Sequence, residues 1–174
     1  MLINNDISID YQVNENSLVF SSTDDENSFE GNIDLKPFYL FANLNYERIN
    51  SKSIFRENSI IVDLIKSEIF ENNNLNLNAI FNVKDIIDND QLKNLYLNFS
   101  IQEGKLNFSN SNIDWKNEVK INLKESELNI QNNNIVLNGK IQIDFNDTNE
   151  FYSFFQIKKN YRKKIQMIDF DFIY

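Results

Sequence analysis

Ile135-Val136-Leu137-Asn138-Gly139-Lys140-Ile141-Gln142-Ile143-Asp144-Phe145 is the stretch that decides the fold class. Leu137, Ile141, Ile143 and Phe145 share one parity, and Asn138, Lys140, Gln142 and Asp144 share the other. Side chains alternate across a strand, so this pattern describes a sheet with one apolar face and one wet face. Just upstream, Val119, Ile121 and Leu123 alternate with Lys120, Asn122 and Lys124, and Leu128 and Ile130 follow before a turn at residues 131–134.

The same rhythm runs back to Leu75. Leu75, Leu77, Ala79, Phe81 and Val83 share a face, and so do Leu95, Leu97, Phe99 and Ile101. Gln102-Glu103-Gly104 reads as a tight turn into Leu106 and Phe108, with Ile113 and Trp115 beyond a Ser/Asn loop. Connections this short force neighbouring strands to run antiparallel, which predicts a meander. Toward the N-terminus, Ile7, Ile9, Tyr11 and Val13 make a first strand and Leu18-Val19-Phe20 begins the return. A long extended segment covers Gly31 to Ile49. Pro37 has no N–H to give a central ladder, so a bulge, bend or edge belongs there.

Two helices are expected. Ile60, Ile61, Leu64, Ile65 and Ile69 repeat at three- and four-residue spacing, which predicts an amphipathic helix over about 59–71, capped by Asn58 or Ser59. Its polar face mixes acid and base, so packing on the sheet, or plugging one end of it, is preferred to lying on a membrane. A second, short, aromatic-rich helix is expected over about 149–156, with Phe151, Phe154 and Phe155 on one side. A basic turn and a last strand, Ile165 to Tyr174, follow.

Composition narrows the chemistry. The chain has 174 residues, 41% hydrophobic and 25% charged, enough for a single β-rich domain with a core. Its net charge of −9 disfavours nucleic acid, whose recognition needs excess Lys and Arg. Histidine and cysteine are both absent, which removes Ser/His/Asp and Cys/His nucleophile systems and thiolate or imidazole metal sites. Asp24-Asp25-Glu26 and Asp85…Asp88-Asn89-Asp90 lack calcium-loop spacing and read as solvated turns. No metal, no cofactor and no catalytic residue are expected. Only 3 Gly and 1 Pro serve all the turns, and Asn takes their place because it tolerates left-handed backbone. Sequon matches at Asn98, Asn107 and Asn146 carry no weight in so Asn-rich a chain.

Lys158, Lys159, Arg162, Lys163 and Lys164 are five of the 17 basic residues on an acidic chain. They suit contact with anionic headgroups or an acidic partner, or simply form a solvated turn that blunts a strand edge; the solvated turn is preferred. No apolar run approaches the roughly 20 residues of a membrane-spanning helix. The chain stops inside an apparent strand at Phe170 to Tyr174, which reads as a fragment of something larger.

Gly31-Asn32-Ile33-Asp34-Leu35-Lys36-Pro37-Phe38-Tyr39-Leu40 carries a family resemblance, as does Lys66-Ser67-Glu68-Ile69-Phe70 leading through an Asn-rich break into Leu75-Asn76-Leu77. The tail from Phe155 through the Lys/Arg turn to Phe170-Asp171-Phe172 is a third string of this kind. Together they resemble the C-terminal part of the AsmA-like envelope proteins, the family of the TamB and YhdP branches, over most of the chain from Gly31. The resemblance implies a curled, taco-like β-groove or open half-barrel whose apolar face carries phospholipid acyl chains between inner and outer membranes, in the periplasm of a Gram-negative cell. On that reading the groove lining is Leu97, Phe99, Ile101, Phe108, Trp115, Ile121, Leu123, Ile141 and Ile143. The partners are acyl chains and the remainder of a longer parent chain or other envelope proteins. The alternative is a structural β-sandwich or half-barrel in a surface or scaffold protein, with the apolar face buried as core.

Overall fold

The computed structural model describes residues 8–24, 26–51, 72–116, 118–132 and 134–174. Alternation resolves into eleven strands: β1 (Asp10–Val13), β2 (Ser17–Thr23), β3 (Asn27–Leu35), β4 (Phe38–Ile49), β5 (Leu77–Ile86), β6 (Leu92–Gln102), β7 (Lys105–Asn107), β8 (Ser111–Trp115), β9 (Val119–Gln131), β10 (Asn134–Phe145) and β11 (Met167–Ile173). One short helix, α1 (Asn149–Phe154), and a single 3-10 turn (Lys159–Tyr161) lie between β10 and β11. The helix expected over 59–71 and the expected strand position Ile7 lie outside the described residues.

All eleven strands belong to one sheet in the order β1-β2-β3-β4-β5-β6-β7-β9-β10-β11, with β8 beside β6 and β9. β1 and β11 stand at opposite edges, so the sheet is open rather than a closed barrel. Pro37 sits in the turn between β3 and β4, where its missing N–H costs no ladder bond. The long extended segment expected over Gly31–Ile49, with its interruption at Pro37, is therefore a hairpin that turns at that point.

The meander expectation needs one correction. β4 and β5 run parallel, with Leu40 opposite Leu77 and Ile49 opposite Ile86. Parallel neighbours require a crossover of a dozen or more residues, and the connection 50–76 is long enough to supply it. Every other pair among the described residues is antiparallel.

β7 and β8 share a single slot between β6 and β9. Where β7 stops, the Ser111 hydroxyl takes over ladder duty: it accepts from the Asn98 backbone N–H at 3.0 Å and lies 3.3 Å from the Asn98 carbonyl. The turn before β7 has Glu103 at φ 51 and Gly104 at φ 70, the two left-handed positions that a tight two-residue hairpin demands.

β9 and β10 keep one face apolar by means of a bulge. Lys124 opposes Lys140 and Glu127 opposes Asn138, so Glu125 and Ser126 together oppose Gly139. Glu125 takes φ 50 to accommodate the extra residue. The bulge reverses parity, so odd-numbered Val119, Ile121 and Leu123 share a face with even-numbered Leu128 and Ile130. The buried Ser126 fills the space left by the missing Gly139 side chain.

A Cβ on Gly139 would lie 2.8 Å from Ser126 Cα, where neither backbone can yield cheaply. Gly139→Ala is expected to destabilise the protein by about 1–3 kcal/mol, the usual range for overpacking. Urea unfolding monitored by circular dichroism measures this, and an unchanged midpoint would refute the tight approach.

Candidate functional site

Pairing registers trace the apolar face across the sheet. One row runs Phe20, Gly31, Ala42, Ala79, Phe99, and the next runs Leu18, Ile33, Leu40, Leu77, Ile101, Leu106, Leu128, Leu137. Beyond the bulge the same face continues through Leu123, Ile141 and Phe170, and through Ile121, Ile143 and Ile168. Of the nine groove candidates, Leu97, Phe99, Ile101, Ile121, Leu123, Ile141 and Ile143 therefore share this face, as does Trp115, directly opposite Val119. Phe108 lies in the break between β7 and β8 with its ring 5.6 Å from Phe99. Trp115 lies at the far end of β8 against Phe154, ring centroids 5.2 Å apart.

Cover is uneven along this face. Phe99 and Ile101 are only 4% and 1% exposed, in a core cluster with Ala79, Leu106 and Leu128. A second buried cluster holds Ile49, Val83 and Ile86. Leu97, Phe108, Trp115, Ile121, Leu123, Ile141 and Ile143 are half-buried. Toward the edges Tyr11, Val13 and Phe170 are exposed, and so are Ile130 and Ile135 where β9 turns into β10.

The opposite face carries an amide lattice. Asn82 donates through Nδ2 to Oδ1 of Asn43 (3.2 Å) and of Asn45 (2.9 Å), and Asn45 donates to Ser28 Oγ at 3.1 Å. A polar cleft of about 510 Å³ opens there, lined by Ser28, Asn45, Glu47, Asn82, Lys84 and Tyr96 among others. The Lys84 ammonium is pushed up by its 2.8 Å hydrogen bond to Glu47 and by that carboxylate's charge. Burial pushes the Tyr46 phenol up in the same region.

The acidic stretches do turn work. Backbone N–H groups of Glu26 and then Asn27 hold the Asp24 carboxyl below its ordinary value. Asp24 thus supports the fold above the ordinary carboxylate range and loses that role as pH falls through its lowered value. Asp85 lies 4.0 Å from Lys93, and Asp88 accepts from the Ser51 backbone N–H at 2.8 Å. Among the described residues no three His, Cys, Asp or Glu side chains are grouped to hold a metal ion.

The strand end of β8, β9 and β10 carries a third arrangement, only half of which the sequence reading anticipated. The helix expected over 149–156 forms as α1, and its Phe151 ring packs edge-on to Phe145 at 5.0 Å. Tyr152 is buried, and its hydroxyl donates to the Lys163 carbonyl and accepts from the Lys163 N–H at 3.2 Å. Arg162 Nε donates to the Ile157 carbonyl at 2.8 Å, with its guanidinium 5.8 Å from the Tyr152 ring. These bonds dock the basic turn onto α1. Arg162 is half-buried, while Lys158, Lys159, Lys163 and Lys164 are exposed. The residue missed from sequence was Tyr152, whose only signal was a hydroxyl-bearing aromatic among phenylalanines.

Comparison with known proteins found no matching family model, no similar curated sequence and no similar solved structure.

The uneven cover gives a graded expectation for truncations. Phe99→Ala is expected to cost about 3–5 kcal/mol as a cavity-forming change, and half-buried Ile143→Ala markedly less. Equal losses in urea unfolding would show that the two positions are equally covered.

Proposed function

We infer that this chain is a non-catalytic module whose apolar sheet face receives phospholipid acyl chains, in envelope lipid transport or outer-membrane maintenance. The observation that supports the reading is the continuous apolar face, covered at its centre and increasingly exposed toward both sheet edges. An open apolar surface of this breadth calls for a further apolar occupant. An acyl chain suits it, because it is extended, lacks hydrogen-bonding groups and can lie along rows of Leu, Ile and Phe. The composition fits a binding role, since neither His nor Cys is present for proton transfer or nucleophilic attack. Assignment to the periplasm and to the AsmA-like envelope family is part of this proposal and rests on the sequence strings quoted above. Among the described residues no helix is long and apolar enough to cross a membrane.

The second reading, a structural β module with its apolar face buried as core, is favoured by the near-complete burial of Phe99, Ile101 and Leu106. The two readings divide on whether the half-buried positions meet lipid.

Extraction of the purified protein followed by mass spectrometry is expected to return acyl lipid at near-stoichiometric amount; a lipid-free protein would support the structural module instead. Photo-crosslinking side chains placed in turn at Lys140, Ile141, Gln142 and Ile143 add a parity check. Capture of lipid is expected at Ile141 and Ile143 alone, and capture at both parities would exclude binding to one face.

A further inference from the structure

We propose that α1 and the basic turn docked on it form a contact surface for an anionic phospholipid bilayer. The helix uses Phe151 and Tyr152 to seat itself against Phe145 and the turn, as described above. That leaves Phe154 and Phe155 50% and 58% exposed, and Tyr161 in the turn 69% exposed. Phe154 packs on Trp115 and Phe155 on Phe151, yet half or more of each side chain stays in water. In the interfacial layer of a bilayer, the same rings bury apolar area while a Tyr hydroxyl stays wet.

The charge beside them has the complementary sign. Residues 157–166 hold Lys158, Lys159, Arg162, Lys163 and Lys164 and not one acid. Five lysines elsewhere are paired with carboxylates: Lys84 with Glu47, Lys93 with Asp85, Lys105 with Glu127, Lys116 with Glu150 and Lys140 with Asp171. Among the described residues Lys158, Lys159, Lys163 and Lys164 make no such pair. Glu150, the acid within α1, is occupied by Lys116 at 3.2 Å. A local excess of unpaired cations on a chain of net charge −9 is a directed field rather than an average property.

Composition favours a bilayer over an acidic protein. Four of the five cations are lysines, whose compact ammonium groups suit a diffuse layer of headgroups. The planar, bidentate recognition of individual carboxylates that characterises protein interfaces is the province of arginine. The single arginine is turned inward on Tyr152 and Ile157. A turn serving only to solubilise the β11 edge would need the lysines but not the exposed aromatic area of Phe154, Phe155 and Tyr161. The proposal stands whether or not the apolar face takes acyl chains, because the tip can meet a membrane while the face stays dry.

Vesicle flotation of the full chain tests it, with phosphatidylcholine vesicles prepared with and without phosphatidylglycerol. The wild type is expected to float with the anionic vesicles, only weakly with the neutral ones, and less as salt is raised. The variant Lys158→Gln/Lys159→Gln/Lys163→Gln/Lys164→Gln is expected to lose anionic binding by at least about a hundred-fold, at roughly five-fold per charge. Phe155→Ser and Tyr161→Ser are expected to weaken binding at every salt concentration, with Tyr161→Ser, at a position without a ring contact among the described residues, keeping the wild-type urea midpoint. Trp115, the single tryptophan, contacts Phe154 and reports insertion by a fluorescence blue shift on the anionic vesicles. No flotation of the wild type, equal flotation with both vesicle types, or a quadruple variant that floats like the wild type overturns the proposal. So does binding to polyglutamate that matches vesicle binding and ignores Phe155→Ser and Tyr161→Ser, the signature of an acidic protein partner.

Discussion

Register is the constraint on which everything else in this sheet depends. Strand side chains alternate with a period of two, so a slip of one residue in any pair would send a whole row to the wrong side. Here apolar parity holds through β10 and β11, where Ile143 opposes Ile168 and Ile141 opposes Phe170. It holds through β9 only because Glu125 and Ser126 together occupy the space of one residue. Gly139 makes that possible by leaving room for the Ser126 side chain. The breadth of the apolar face is thus a product of local backbone geometry as much as of hydrophobic composition.

The polar face solves a different problem with the residue this chain has in abundance. Asn82 on β5 donates to Asn43 and Asn45 on β4, which donate in turn to Glu30 and Ser28 on β3, so the bonds run on across three strands. Cross-strand side-chain pairs of this kind contribute on the order of 0.2–1 kcal/mol each, and they pin the same register that the apolar rows require. Asn also supplies left-handed turn positions at Asn110 and Asn132. One residue type therefore serves the turns and the face where Gly, Pro and Thr would usually share the work.

Much of this was legible in the residues and some was not, for identifiable reasons. Alternation in Leu95–Ile101 and Leu137–Phe145 gives β6, β10 and their apolar faces directly. The change of parity between Leu123 and Leu128 carries the bulge, though as two short strands it reads equally well. The parallel pairing of β4 with β5 has no local signature, because it depends on where a long connection returns the chain. The eight face-sharing groove candidates follow from parity, whereas their separation into buried and half-buried members depends on packing. The docking of the basic turn on Tyr152 is likewise a tertiary fact, carried by a hydroxyl and two backbone groups eleven residues away.

The parallel seam has a consequence for the sheet as an assembly. β1 to β4 form one antiparallel run, β5 to β11 another, and they meet along a single ladder from Leu40–Leu77 to Ile49–Ile86. A long connection, 50–76, bridges that seam. Two copies that exchanged their first four strands would rebuild every hydrogen bond of the seam ladder. The topology is therefore compatible with a strand-exchanged dimer that keeps the seam ladder and differs from the monomer in connectivity, an arrangement whose cost is chiefly the entropy of association.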